Sequence, residues 1–196
     1  AEILTNGSIL INRDQELAIK NIIIATGSSQ RSLDLLKTDG VNVITSKEIL
    51  ALTQVPKTLL IIGGGSTGVE FAYMYGAYGS KVTVVEAQDQ ILPKEDPEIA
   101  ELLRKSLAEQ GISIYTNARI VTGGVKDGLV RCEIDVPNEE AKIVIEAEKA
   151  LMSVGVAGNI LGIGLDCLDI QTENGFIKID EQMRTSVPNI YAIGDV

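Results

Sequence analysis

A glycine-rich stretch that begins at Gly63 has the spacing of a phosphate-binding loop. Gly63, Gly65 and Gly68 form the pattern G-x-G-x-x-G directly after an apolar run at residues 58–62. In such loops the first glycine allows a tight turn, the second lets the backbone approach a pyrophosphate, and the third lets a helix pack closely on the strand. The free N–H groups at the start of that helix attract the phosphate charge. A structural turn that binds no ligand can have the same spacing.

An acidic residue, Glu86, stands where the rest of such a ligand would be recognised. It ends a predicted strand at residues 81–86, roughly twenty residues beyond the glycines, where dinucleotide-binding folds place a carboxylate for the adenosine ribose hydroxyls. The order of strand, loop, helix, strand and acid therefore predicts a dinucleotide site. A carboxylate would repel a 2′-phosphate, and residues 87–90 contain no Arg or Lys to hold one. The pattern favours NAD over NADP.

Four apolar runs predict the parallel sheet that would carry this loop. They are short and nearly continuous, as strands buried on both faces are, and they cover residues 58–62, 81–86, 112–115 and 150–155. Ligands bind at the carboxyl ends of such strands. The last run ends at Gly155, so we expect this glycine at the same edge of the sheet.

Helices are predicted around the sheet at residues 45–51, 66–78 and 97–110. The first begins with a capping box formed by Thr45 and Glu48. The third follows an N-cap aspartate, Asp96, and has proline at its first position. It is expected to bury an apolar face formed by Ile99, Leu102, Leu103 and Leu107.

Beyond residue 117 the pattern changes to strands joined by tight turns. The strands are predicted at residues 118–122, 129–136 and 142–146, with turns at Gly123-Gly124, Asp127-Gly128 and Pro137-Asn138. Because no helix separates these strands, they should form an antiparallel meander. The predicted fold class is α/β: a Rossmann-like parallel sheet with a glycine-loop βαβ unit, plus an antiparallel β-meander.

Two more apolar strands are predicted near the ends of the chain, at residues 18–27 and 190–194. The first holds a continuous apolar run, so burial on both faces is expected. It ends in Ala25, Thr26 and Gly27, and small residues at a strand end let a ligand approach the backbone. An ordinary strand end can have the same composition. Asp195 follows the second strand, either to bind a sugar or ribityl hydroxyl or as a solvated aspartate.

The composition excludes several classes of function. A net charge of −10 over 196 residues argues against nucleic acid and against anionic membranes as partners. No apolar run reaches the length of about 18 residues that a membrane helix needs, and no signal peptide is visible, so a cytoplasmic protein (or a mitochondrial matrix protein, if eukaryotic) is expected. The chain has no histidine, which removes the commonest general base and metal ligand. Cys132 and Cys167 have no metal spacing and are predicted to be reduced thiols.

Several segments, taken together and in order, resemble one enzyme family. They are residues 21–28, 63–71, 82–86, 91–93 and 190–196. The set resembles the two-dinucleotide flavoprotein disulfide reductases, and among them most closely the dihydrolipoyl dehydrogenases. This resemblance, and not the spacing, implies FAD as well as NAD. It implies an NAD pyrophosphate on Gly63, Gly64, Gly65, Ser66, Thr67 and Gly68; the adenosine ribose on Glu86; the adenine near the backbone of Ile120; the nicotinamide near Glu70 and Gly155; and FAD contacts at Ala25, Thr26, Gly27 and Asp195.

The sequence also departs from that family. The family has a first glycine motif for FAD, a C-x-x-x-x-C redox pair, and a C-terminal dimerisation domain with a catalytic His-Glu pair, and none of these is present. Residues 156–159 read Val-Ala-Gly-Asn where many members have Arg-Arg-Pro, which further disfavours NADP. The chain is therefore expected to hold the NAD-binding domain at residues 29–160, between FAD-domain segments at residues 1–28 and 161–196. No catalytic residue is expected in it.

The resemblance implies that the intact enzyme is a homodimer in a 2-oxoacid dehydrogenase complex. It would pass electrons from dihydrolipoamide through a disulfide and FAD to NAD⁺, and this chain would bind NAD(H) without catalysis. One alternative is a related reductase for glutathione, mercury or a ferredoxin, although Glu86 counts against the NADPH-dependent ones. Another is a stand-alone NAD-binding module that is not an enzyme.

Overall fold

The structure is a computed structural model that describes residues 1–137, 139 and 141–196. The turn predicted at Pro137-Asn138 includes Asn138, which lies outside the described residues. The chain divides into two compact units, one of residues 30–155 and one of residues 1–29 with residues 156–196.

The strands are β1 (Glu2–Ile3), β2 (Ile9–Ile11), β3 (Gln15–Leu17), β4 (Ile22–Ile24), β5 (Ser28–Gln30), β6 (Val43–Ile44), β7 (Thr58–Ile62), β8 (Lys81–Val85), β9 (Ser113–Tyr115), β10 (Arg119–Lys126), β11 (Leu129–Asp135), β12 (Ile143–Ala147), β13 (Lys149–Met152), β14 (Val156–Gly158), β15 (Thr172–Glu173), β16 (Phe176–Ile177) and β17 (Ile190–Ala192). The helices are α1 (Ser46–Leu50), α2 (Ser66–Ala77) and α3 (Pro97–Glu109), with a 3₁₀ turn at Leu165–Cys167.

The larger unit is built on a parallel sheet. In the part of the chain that is described, this sheet has five strands in the order β6-β13-β7-β8-β9, and every neighbouring pair is parallel. The register places the last residues of the three central strands in one row, because Ile62 pairs with both Val85 and Met152. The residues that follow these strands therefore leave the sheet side by side at its carboxyl edge.

The two faces of β7 pack against different layers. Successive side chains of a strand point to opposite faces. Leu59 and Ile61 accordingly belong to a core cluster with the residues of α2 and α3, while Leu60 and Ile62 belong to a second cluster with the meander. All four side chains are buried, which explains why the sequence of this strand is apolar without alternation.

The meander is formed by β10, β11 and β12, which pair antiparallel in sequence order. The turn predicted at Asp127-Gly128 is confirmed. The turn predicted at Gly123-Gly124 is wrong, because both glycines lie within β10, where they pair with Cys132 and Arg131. The parallel sheet with its glycine-loop βαβ unit and the added antiparallel meander confirm the predicted fold class. The capping box of α1 is also confirmed, since the Thr45 backbone N–H donates to Glu48 Oε2 at 2.9 Å and the Lys47 N–H donates to Thr45 Oγ1 at 3.3 Å.

The predicted apolar face of α3 is wrong for two of its four residues. Ile99 is 57% exposed and Leu102 is 67% exposed. The helix instead packs through Ala100, Leu103 and Leu107. Their spacings of three and four residues define one stripe, and the neighbouring positions lie to its solvent side.

The smaller unit contains an antiparallel sheet of β1, β2 and β3 and a parallel pair of β4 with β17. Ile22 and Ile24 of β4 are buried in its core, but Ile23 between them is 64% exposed. The expectation of burial on both faces was wrong here. A continuous apolar run is buried on both faces only where layers cover both, and in the described residues the core lies on one side of β4.

In the described residues, no helix is long and apolar enough to cross a membrane.

The two cysteines should differ in reactivity. Cys132 lies on β11 with its side chain fully buried, and burial raises the pKa of its thiol to about 11, whereas Cys167 is exposed. Since the thiolate is the reactive form, we expect a thiol reagent at pH 8 to modify one cysteine per chain in the folded protein and two in urea. Cys167→Ser should remove the fast reaction. Modification of both thiols in the folded protein would show that the meander opens.

Candidate functional site

Three residues that follow the central strands meet at the carboxyl edge of the parallel sheet. They are Gly63 after β7, Glu86 after β8 and Ser153 after β13. The Gly63 N–H donates to Val85 O at 2.8 Å, and the Ser153 N–H donates to Ile62 O at 2.8 Å. These bonds extend the strand ladder by one residue, so the glycine loop begins from a fixed base.

Two of the three glycines in the G-x-G-x-x-G pattern are required by the fold itself. Gly63 has φ +104°, and a Cβ there would lie 2.3 Å from Ser153 O. A Cβ at Gly68 would lie 2.0 Å from Gly63 O. Real Cβ atoms do not come this close to backbone oxygen, so α2 can approach β7 only if both positions are glycine.

Gly65 is different, because nothing in the described chain requires glycine there. Its φ of −70° and ψ of −175° are open to any residue. A Cβ at this position would meet no atom of the described residues within 4 Å. The space that a side chain would fill lies at the start of α2, next to the first N–H groups of the helix.

The first turn of α2 presents an uncompensated positive end. Gly65 is the N-cap and offers no side-chain acceptor, and residues 66–68, all of which are described, include no acidic side chain. The first N–H groups of a helix have no partner within the helix, and the helix dipole adds about half a positive charge there. This end of α2 is therefore suited to an anion.

Glu86 is held beside the loop by two backbone groups. Its side chain is buried, with Oε2 accepting from the Gly64 N–H at 2.6 Å and Oε1 accepting from the Gln88 N–H at 2.8 Å. Each carboxylate oxygen retains a lone pair after accepting one bond. The group can therefore accept hydroxyl hydrogens from a sugar without leaving its position.

The remaining residues predicted for this site lie in the same unit, at different places. Glu70 is exposed on α2. Gly155, two residues after Ser153, has a φ of +94°, and its carbonyl oxygen accepts from the Arg31 N–H at 2.9 Å. Ile120 is half-buried on β10 at an irregularity of the ladder. Just before it, the Ala118 N–H donates to Glu86 O at 2.9 Å, which brings the start of β10 next to the acid.

The second predicted set, Ala25, Thr26, Gly27 and Asp195, lies in the smaller unit. The parallel pairing of β4 and β17 places these residues at one edge, where the Ile193 N–H donates to Ile24 O at 3.0 Å. Thr26 is tied to Asn159, whose carbonyl accepts from Thr26 Oγ1 at 2.8 Å and whose Nδ2 donates to Thr26 O at 2.9 Å. The Asp195 side chain is exposed.

Sequence reasoning missed two contacts of the glycine loop. The Leu92 N–H donates to Gly64 O at 2.8 Å, and the Ser153 hydroxyl lies 2.9 Å from Gly63 O. The pattern at residues 91–93 indicates no more than a turn, and Leu92 adopts a positive φ of 47° there. A small polar residue directly after a buried strand was the available signal for Ser153.

Within the described part of the chain, no group of three or more His, Cys, Asp or Glu side chains could hold a metal ion. Two buried polar side chains of the larger unit, Glu86 and Ser153, lie at the glycine loop beside the first N–H groups of α2.

Comparison with known proteins gives a consistent family. The profile of the family described as pyridine nucleotide-disulphide oxidoreductase matches residues 3–196. The dihydrolipoyl dehydrogenase of Chlorobaculum tepidum is 45% identical over 180 residues, which is 92% of this chain and 38% of that protein. The dihydrolipoyl dehydrogenase of Bacillus subtilis is 42% identical over 177 residues, 90% of this chain and 37% of that protein.

Solved structures agree with these relatives. LpdA of Mycobacterium tuberculosis has a TM-score of 0.81 and 34% identity, with 92% of this chain and 39% of that one covered. The HOCl-induced flavoprotein disulfide reductase RclA of Escherichia coli has a TM-score of 0.79 and 27% identity, with 96% and 44% covered. The chain thus spans less than half the length of these four proteins.

Proposed function

The chain belongs to the pyridine nucleotide-disulphide oxidoreductase family, and on this basis we propose that it is the NAD(H)-binding part of a dihydrolipoyl dehydrogenase-like flavoprotein. In the whole protein the reaction would be the oxidation of dihydrolipoamide by NAD⁺ through FAD and a redox disulfide. The whole protein would be a homodimer serving a 2-oxoacid dehydrogenase complex. Residues 29–160 would form the NAD-binding domain, and residues 1–28 and 161–196 would belong to the FAD domain.

The open space at Gly65 is the observation on which the nucleotide proposal rests. The backbone conformation of Gly65 suits any residue, and a Cβ there would meet open space in the described chain. The absence of a side chain is explained if a ligand comes against the backbone at this point. The adjoining helix start is suited to an anion, so the ligand group is a phosphate or pyrophosphate.

Neighbouring residues would bind the other parts of NAD(H). The N–H groups at residues 65–68 would bind the pyrophosphate, and Glu86 would accept the adenosine ribose hydroxyls. The backbone at Ile120 would border the adenine, while Glu70 and Gly155 would border the nicotinamide. NAD⁺ supplies the hydride acceptor when it is bound, and this chain's residues hold it in place and orient it.

The residues proposed for FAD fit only part of that cofactor. Asp195 is exposed at the end of β17 and can accept a hydroxyl hydrogen, and the strand end at Thr26 lies beside it. The sequence contains one G-x-G-x-x-G pattern, which is already assigned to NAD. The described residues therefore offer a hydroxyl acceptor for FAD but no second pyrophosphate loop.

Isothermal titration of the chain with NADH, NADPH and FAD in parallel tests the proposal. We expect NADH to bind, NADPH to bind at least about tenfold more weakly because its 2′-phosphate faces the Glu86 carboxylate, and FAD to bind weakly or not at all. FAD binding in place of NADH would assign the glycine loop to the flavin. No binding of NADH would overturn the proposal.

Glu86→Gln should narrow the preference of the chain for NADH over NADPH. Gln can keep an oxygen for the Gly64 N–H, but it loses the negative charge, and its amide nitrogen replaces the oxygen that accepts from the Gln88 N–H and would accept from the ribose. Hydrogen bonds to charged groups contribute about 1.5–3 kcal/mol, so NADH should bind at least about tenfold more weakly. NADPH should lose less affinity or gain it.

Asp89→Asn is the matched control, because it removes an exposed negative charge three residues along the chain. Its NADH and NADPH affinities should stay near those of the wild type. If Glu86→Gln binds both nucleotides as the wild type does, Glu86 has no part in binding the ribose.

A related reductase with another substrate is the second candidate, since RclA shares the fold and is described as a flavoprotein disulfide reductase. A preference for NADPH over NADH in the same titration would favour it. A stand-alone NAD-binding module would be favoured if a chain of this length is the natural product.

A further inference from the structure

The peptide bond between Gly63 and Gly64 is held at both of its polar ends by side chains. Its carbonyl, Gly63 O, lies 2.9 Å from the Ser153 hydroxyl, and its N–H, on Gly64, donates to Glu86 Oε2 at 2.6 Å. The two side chains come from different strands of the parallel sheet, one after β13 and one after β8. All four residues are buried.

The Ser153 hydroxyl lies within hydrogen-bond distance of two carbonyl oxygens, one in the loop and one in the strand. It lies 2.8 Å from Ile62 O in the strand, but that carbonyl already accepts from the Ser153 backbone N–H at 2.8 Å. In the described part of the chain, the hydroxyl is the one hydrogen-bond donor to Gly63 O. Without it, a buried carbonyl would have no partner, which is costly.

The two hydrogen bonds that hold this peptide matter because the peptide joins two glycines. Glycine has access to far more backbone conformations than other residues, so a Gly-Gly peptide can rotate unless something holds it. This peptide leads into the loop, and its restraint limits the conformations open to the N–H groups that follow at Gly65 and Ser66; the next peptide is held in turn by the Leu92 N–H, which donates to Gly64 O at 2.8 Å. The N–H groups of Gly65 and Ser66 are among those proposed to bind the pyrophosphate.

We propose that Ser153 is a positioning residue for the pyrophosphate of the dinucleotide. It does not touch the ligand; it fixes the Gly63–Gly64 peptide together with Glu86, so that the N–H groups of the loop are oriented before the ligand arrives. Preorganised donors bind a charged group more tightly than donors that must first be ordered. This inference rests on the proposed NAD(H) function of the same site.

The test compares Ser153→Ala with the wild-type chain for NADH, ADP-ribose and adenosine. NADH and ADP-ribose both carry the pyrophosphate, and adenosine carries only the part that Glu86 and Ile120 would bind. We expect Ser153→Ala to bind NADH and ADP-ribose about five- to tenfold more weakly, the effect of losing one hydrogen bond. Adenosine, measured by its displacement of NADH, should bind as it does to the wild type.

Ser80→Ala is the matched control. Ser80 is as buried as Ser153, and its hydroxyl also donates to a backbone carbonyl, Pro56 O, at 2.6 Å. It lies just before β8, at the opposite edge of the sheet, so its loss should affect stability without changing the affinity for any of the three ligands. Thermal unfolding of both variants measures that common structural cost.

The outcomes separate this inference from the proposed function. If the wild-type chain does not bind NADH, both are overturned. If the wild type binds NADH and Ser153→Ala binds it equally well, only the role of Ser153 is overturned. An equal loss for NADH, ADP-ribose and adenosine, or the same loss in Ser80→Ala, would show a general structural effect and would also overturn it.

Discussion

Gly65→Val is expected to weaken NADH binding roughly a hundredfold while the chain stays folded. The valine side chain would occupy the space beside the first N–H groups of α2, where the structure leaves room for a Cβ. Loss of one or two hydrogen bonds to a charged pyrophosphate is equivalent to about 3 kcal/mol, or roughly a hundredfold in affinity. Valine is a poorer N-cap than glycine, so a decrease of about 1 kcal/mol in the free energy of unfolding is expected as well. Titration calorimetry and urea unfolding measure the two effects.

Gly124→Val is the matched control for that variant. Gly124 lies in β10, in the same unit, and a Cβ there also meets no atom of the described residues within 4 Å. Its replacement should leave NADH affinity unchanged. If Gly65→Val binds NADH within about threefold of the wild type, which is well under 1 kcal/mol, the loop is not the pyrophosphate site.

Gly68→Ala should chiefly lower the free energy of unfolding, whereas Gly65→Val should chiefly lower the affinity for NADH. Alanine is the better helix former by about 1 kcal/mol, which would by itself stabilise α2. Its Cβ, however, would lie 2.0 Å from Gly63 O, so the helix and the loop would have to move apart. Overpacking against a backbone that cannot yield costs about 3 kcal/mol, and the net loss in the free energy of unfolding should be about 2 kcal/mol. Urea unfolding followed by circular dichroism measures it.

Gly76→Ala is the control within the same helix. There the nearest atom to the new Cβ is Cδ1 of Ile112, at 3.2 Å, which is the flexible end of a side chain. A small shift of that methyl group relieves the contact, so this variant should be as stable as the wild type or slightly more stable. If Gly68→Ala were equally stable, the close approach of α2 to Gly63 would not be required by the fold.

Local patterns were sufficient for the architecture of the larger unit. The unbroken apolar run of β7, the caps at Thr45 and Asp96, and the tight turn at Asp127-Gly128 each depend on residues close together in the chain. Interactions of this range can be recognised without knowledge of the fold. One failure is the turn predicted at Gly123-Gly124, where β10 continues without a turn. The other failures concern exposure. Leu102 and Ile23 are both apolar and both exposed, because burial depends on which layers cover an element.

The sequence by itself determined that a glycine loop follows a buried strand and that an acid stands at the end of the next strand. The motif assigns the three glycines different roles, and the tertiary structure gave the physical reason why two of them must be glycine. A Cβ at Gly63 would collide with Ser153 O, just after β13, and a Cβ at Gly68 would collide with Gly63 O, just after β7. A Cβ at Gly65 would meet no atom of the described residues. Only the tertiary structure joined Ser153 and Glu86 to one peptide of the loop. These contacts link residues from 22 to 90 positions apart, and they exist because the register of the parallel sheet brings the ends of three strands into one row.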